Sequence, residues 1–194
     1  MASESMALKE WAVITKALLE GEQAVILRKG GIEEETKHFE VKSSSFFLYP
    51  TYEHQKSEWV REPYHGKIND TLLQWDRTGN TVTIVGYAEV VEDIEIYQEE
   101  VLHKAGPFHI GTEEFAEGRL KWKKNQPLHL LVLRVYRLEK PVTVPVIPDY
   151  LGCRSWVQVQ EDLAAAGGKK IPVLSDAEFH QMYREIKARL AETE

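Results

Sequence analysis

The chain has 194 residues, a formal net charge of -7 and one cysteine. One cysteine excludes an internal disulfide and a cysteine-rich zinc site, and the acidic balance argues against a protein that coats nucleic acid indiscriminately through its phosphates. No apolar run approaches the ~20 residues of a membrane span, and the opening MASESMALKE lacks the basic and apolar regions of a signal peptide, so the expectation is a cytoplasmic protein of one domain.

In chain order, Leu8, Trp11, Ile14 and Leu18 recur at helical spacing and predict a helix over 5–20 with Gly21 after its end. Residues 23–28 read as a strand, Gly30-Gly31 as a turn and Glu33 to Glu35 as a solvated loop tip. Residues 37–42 and 46–49 read as two further strands. Pro50 ends the second, and Thr51 caps a helix over 52–61 that Pro63 stops. Residues 63–80 read as turn-rich, with a tight turn at Gly79-Asn80. A strand follows from Thr81 to Val91, extended or paired by 92–96. Short helices follow over 98–105 and, capped by Thr112, over 113–117.

Residues 128–138 are the most strongly apolar segment, with apolar residues on both alternating faces at its start, as expected of a strand buried on both sides. Residues 142–147, between Pro141 and Pro148, suit a sheet edge, and 154–159 form the last strand. After a linker over about 164–174, Ser175 and Glu178 make a capping box. The stripe Phe179, Met182, Tyr183, Ile186 and Leu190 marks an amphipathic helix over about 175–192 that docks on the core of about 5–160. The expected fold class is α+β: a single domain, 1–194, with a curved mixed sheet or small barrel surrounded by helices.

Two blocks concentrate basic, aromatic and hydroxyl groups: Arg28-Lys29-Gly30-Gly31-Ile32, and Phe46 to Thr51 followed by His54-Gln55. With Gly152-Cys153-Arg154-Ser155-Trp156, they resemble a bacterial family, the domain of unknown function numbered eighteen hundred and two. That resemblance spans about Leu8 to Val159 and implies an intact soluble domain, with no activity or catalytic residues to carry over. A weaker likeness, from Ile84-Val85-Gly86-Tyr87-Ala88-Glu89-Val90-Val91, is to barrels of the pseudouridine-synthase-and-archaeosine-transglycosylase type and their EVE and activating-signal-cointegrator-homology relatives.

Residues 86–118 carry a net -8 and residues 119–160 a net +6. Cations interleaved with aromatics suit phosphates and unstacked bases. The expected ligand is RNA, DNA or a nucleotide-like molecule, bound without catalysis. Arg119, Lys121 and Arg154 hold phosphates with Arg28 and Lys29, Trp156 or Tyr49 stacks a base, and Thr51, His54 and Gln55 make edge contacts. Arg28, Lys29, Tyr49, Thr51 and His54 are expected to converge on one cleft. A second reading is a homo-oligomer joined through its acidic and basic segments. A third is a metal-dependent nuclease: Glu40 and Lys42 flank Val41 on a predicted strand, resembling the E-x-K half of the PD-(D/E)-x-K motif, although the strand before them supplies no aspartate. Only that reading calls for a divalent metal; otherwise no cofactor or metal ligand is expected. Neither a phosphate loop, a dinucleotide fingerprint nor a nucleophile elbow is present.

Overall fold

The computed structural model describes residues 5–29 and 39–191. Its seven strands are β1 (Ser5–Trp11), β2 (Val25–Arg28), β3 (Ser45–Thr51), β4 (Thr81–Ile96), β5 (Leu128–Pro145), β6 (Trp156–Val159) and β7 (Lys170–Pro172). They form one sheet in the order β2-β5-β4-β3-β1-β6, with β7 also paired to β5. β1 runs parallel to β3 and every other pairing is antiparallel. The sheet is mixed, curved and open, so of the two expected forms it is the curved sheet and not the closed barrel. Among the described residues, six α-helices surround it: α1 (Ala12–Leu19), α2 (His65–Leu73), α3 (Glu99–Ala105), α4 (Glu113–Lys121), α5 (Leu163–Gly167) and α6 (Asp176–Ala191). None of the described helices is long and apolar enough to cross a membrane.

The spine is the long β4–β5 ribbon. Its pairing shifts twice, and each shift adds twist and bends the strands. Ile84 pairs with Val142 and Gly86 with Arg137. Val85 of β4 therefore lies opposite residues 138–141, which loop out of the ladder. The second shift leaves Val91 as the extra residue opposite the Leu133-Val132 step.

The sheet is apolar on both faces. Leu8, Phe46, Leu48, Leu130 and Val132 belong to the larger core, beneath α1 and the helices after β4. Ala7, Phe47, Tyr49, Ile84, Val157 and Leu163 form a smaller core on the reverse face. Alternation along β1 and β3 thus assigns Glu10 to the first face and Lys9, Tyr49 and Thr51 to the second. α1 comes so close to the ribbon that a Cβ on Gly86 would lie 2.9 Å from Leu19 Cδ2 and 2.9 Å from Leu48 Cδ1. The helix ends as expected at Gly21, whose φ of +74° is the left-handed conformation favoured after a helix C-terminus.

Several expected elements differ. Residues 5–11 are strand, not helix. β1 is flanked by β3 and β6 and buried from both sides, so its apolar residues mimic helical spacing. Residues 39–43 are irregular where a strand was expected, and 37–38 lie outside the described residues, as do Gly30 to Glu35. β3 continues through Pro50, which pairs near the strand end with Glu10. The helix expected over 52–61 is replaced by 3₁₀ turns at Ser57–Trp59 and Glu62–Tyr64, and helix α2 occupies the turn-rich 63–80 segment. The two strands expected around Pro141 are the single strand β5, and the linker segment carries α5 and β7.

α6 packs Phe179 and Ile186 into the larger core, with Met182, Tyr183 and Leu190 partly buried against it. Arg134 reaches from β5 to Asp176 (2.7 Å) and lies over the Phe179 ring, and Glu92 of β4 accepts from Tyr183 (2.7 Å) and Lys187 (2.6 Å). Phe179→Ala should cost about 3–5 kcal/mol in urea unfolding. A loss under about 1 kcal/mol, within the range of a surface substitution, would show that this helix is not held by its apolar face.

Candidate functional site

The sequence-derived residues fall into separate groups. Arg28, Lys29 and Arg119 do meet, but inside the protein. Arg28 is buried at the end of β2, where Nη1 donates to the Lys9 carbonyl (3.1 Å) and to Glu10 Oε2 (3.2 Å), and its guanidinium lies 5.6 Å from the Phe39 ring centre. Arg119 donates to the Leu27 carbonyl (2.9 Å), with its guanidinium over Phe115 (4.6 Å) and Trp11 (5.8 Å). Desolvation brings it down to about 10; Glu10 opposes that shift and Arg28 reinforces it. Lys29 donates to the Leu120 carbonyl, and desolvation lowers its pKa. These cations fasten β2 to β1 and α4, and Glu10 is the carboxylate ion-paired to Arg28.

Tyr49 and Thr51 lie on the other sheet face, so the expected convergence with Arg28 and Lys29 does not occur. Both line a small pocket of about 90 Å³ with Lys9, Trp75 and Tyr150. Tyr49 packs edge-on against Tyr150, and desolvation, with Tyr150 and Glu53 nearby, raises its phenol to about 12. The Thr51 hydroxyl donates to the Glu10 carbonyl (3.2 Å). His54 is exposed. Gln55 is structural: its Oε1 accepts from the Val13 amide at the start of α1 (3.0 Å), and its Nε2 donates to Thr71 Oγ1 (2.9 Å).

The +6 segment does not form a continuous basic face. Lys121 pairs with Glu117 (2.9 Å) and Glu99 (3.1 Å), Arg134 is committed to Asp176, and Arg154 is exposed on the loop before β6. Trp156 is a core residue and not a stacking platform. It lies beside Phe39 and edge-on to Phe46, and its indole N–H donates to the Glu40 carbonyl (2.9 Å). Glu40 and Lys42 sit on an irregular exposed segment, which removes the strand alternation that would aim both at one face. Among the described residues, no three His, Cys, Asp or Glu side chains are grouped to hold a metal ion.

One cleft opens where residues 138–141 leave the β4–β5 ladder. It measures about 560 Å³. Thr15, Lys16 and Leu19 of α1 form one side, Thr71 and Gln74 another, and Thr83, Val85 and Arg137 the sheet side. Arg137 donates to the Leu19 carbonyl, closing the C-terminal end of α1. Tyr52 stands in the wall shared with the smaller pocket, stacked on Trp75 at 5.7 Å and 7°, and Arg77 lies over Trp75. Desolvation raises the Tyr52 phenol. At the rim, burial pushes the Glu20 carboxyl up, but hydrogen bonds from Lys16 and Lys67 outweigh it and hold the pKa below its ordinary value. Thr15 is only 4% exposed, and its hydroxyl has no hydrogen-bond partner. A buried hydroxyl left unpaired costs about 1–3 kcal/mol.

A second cleft, of about 720 Å³, lies between α3 and the start of α4. Its wall includes His109, which is 5% exposed. Desolvation, helped by the Arg61 charge, brings this imidazole down to about 4.

Two stability measurements test these placements. Glu10→Gln leaves Arg28 buried without its counter-ion and should cost about 3–5 kcal/mol; a loss below about 1 kcal/mol would contradict the pairing. His109 has a folded-state pKa below the ordinary value of about 6.5, so its neutral form stabilises the fold fully above that pH. That contribution is lost as pH falls toward about 4 and amounts to about 3 kcal/mol. Urea unfolding across this range should show the decline, flattened in His109→Gln; parallel profiles would exclude the assignment.

Comparison with known proteins gives a family and a set of structural likenesses. Two variants of an ASCH protein from Zymomonas mobilis each show 12% identity and a TM-score of 0.48; one alignment covers 85% of this chain and 94% of that one, the other 84% and 96%. The ASCH protein itself shows 12% identity and a TM-score of 0.44, over 92% of this chain and 93% of that one. No curated protein sequence matches. The family model described as Domain of unknown function (DUF1802) matches residues 7–185, and the chain belongs to that family.

Proposed function

We propose that the α1–ribbon cleft binds a single nucleotide-like unit, a base with its sugar and at most a phosphate or two, as a binding module without catalysis. The carrying observation is the buried, unpaired Thr15 hydroxyl in a cleft of about 560 Å³, a volume within the range of small-ligand sites. Tyr52 adds an aromatic wall backed by Trp75, and such platforms stack bases regardless of sequence. Gln74, Thr83 and Arg137 supply amide, hydroxyl and guanidinium groups for edges and phosphate. Lys16 and Arg137 are balanced by Glu20 and Glu139 within the same wall, which favours one compact ligand over an extended polyanion.

Fluorescence titration with nucleosides, mononucleotides and short single strands at low salt tests this reading. Tyr52→Ala should weaken binding by about 1–3 kcal/mol through lost stacking, and Thr15→Val by about 1 kcal/mol through a lost hydrogen bond. Absence of binding by every one of these ligands, or affinity indifferent to Tyr52→Ala, would refute the proposal.

A further inference from the structure

The second cleft shares no lining residue with the first. Two residues that line it carry buried polar atoms without partners: Arg61 Nε, His109 Nδ1 and His109 Nε2. The two side chains belong to one unit. Arg61 Nη2 donates to the His109 carbonyl, and the Arg61 amide donates to the Ile110 carbonyl (2.9 Å). The position is held from below, since the Thr112 amide donates to the Trp59 carbonyl (3.1 Å) and Val60 bridges to Gly111.

The chemistry of the missing partner follows from the donor count. Arg61 Nε–H is a donor with no acceptor, and a neutral imidazole carries one further donor. Helix α4 begins beside them. Thr112 Oγ1 takes the Phe115 amide (3.2 Å), which leaves the Glu113 and Glu114 amides as donors outside the helical ladder. Arg189 of α6 lines the same cleft. Convergent donors from a guanidinium, an imidazole and a helix start match an anion with several acceptor oxygens. The Glu113 and Glu114 carboxylates are exposed and lie in the first turn of α4. They oppose an anion, so its binding is weak and selective for a group small enough to sit behind them.

We propose that this cleft is a second ligand site, built for a small oxyanion, a phosphate or carboxylate group, held by Arg61, His109 and the start of α4. The test is a titration of the full chain with inorganic phosphate and, separately, with acetate, at constant ionic strength and following the His109 ring nitrogens by NMR. Saturable movement of the His109 signals with either anion supports the site, and the anion that acts tells phosphate from carboxylate. Arg61→Gln should weaken binding at least tenfold, the size expected for a charge-assisted hydrogen bond. Because Arg61 also braces the His109 backbone, Arg189→Gln serves as the variant that leaves the fold untouched. It should weaken binding about threefold, as for an exposed charge. His109 signals unmoved by both anions, or movement equal in wild type and both variants, would overturn the proposal. Either outcome is independent of nucleotide binding in the first cleft.

Discussion

The β4–β5 pairing is the constraint on which the rest of the molecule depends. Its 16- and 18-residue strands run through both cores, and β2, β3 and β7 all attach to one or the other. A regular ladder of that length would be a plain twisted ribbon. Here residues 138–141 leave it opposite Val85, and Gly86, one residue on, lets α1 settle against β3 and β4. The same interruption turns Leu138, Glu139 and Pro141 into the lining of the cleft beside α1. The cleft and the bend therefore share one cause, and Arg137, the last paired residue before the gap, ties the helix end to the sheet.

The polar interior divides by whether its demands are met. Arg28, Lys29 and Arg119 find carbonyls and aromatic faces at β2, and Glu10 offsets part of their charge. They account for cations that would otherwise suggest a phosphate-binding face. Thr15 and His109 are also buried and Arg61 is half-buried, yet each keeps a buried atom without a partner. Native interiors leave few such groups, and the residues that carry these line the two clefts. The first group is satisfied within the fold, and the second is the one that the proposed ligands would meet.

Much of the architecture was legible from local signals. Thr112 caps α4 as read, the Ser175–Glu178 box starts α6 with reciprocal hydrogen bonds, and residues 130–135 are buried on both faces. Misreadings arose where tertiary context overrides pattern. β1 is apolar on both faces because a core packs against each face of the sheet, Leu8 in one and Ala7 in the other, which no window of seven residues can tell from helix. Trp156 and Arg28 have the composition of a binding surface, but a strand-end arginine opposite a buried glutamate is a pairing across sequence that spacing does not encode. The cleft residues are scattered over α1, α2, β4 and β5. Thr15 gives only a faint clue, one hydroxyl on the helix between Ile14 and Ala17, and Arg137 and Tyr52 acquire their roles only when the ribbon is bulged.

The claim that the ribbon's bulge makes a ligand site is most directly tested by mapping backbone amide shifts while a nucleoside monophosphate is titrated into the protein. The account predicts that the largest changes fall together on Thr15, Thr83, Val85 and Arg137, residues from three separate elements that only the cleft unites. Changes confined to the exposed Lys121–Lys124 turn or to Arg154, with the cleft residues unmoved, would contradict it.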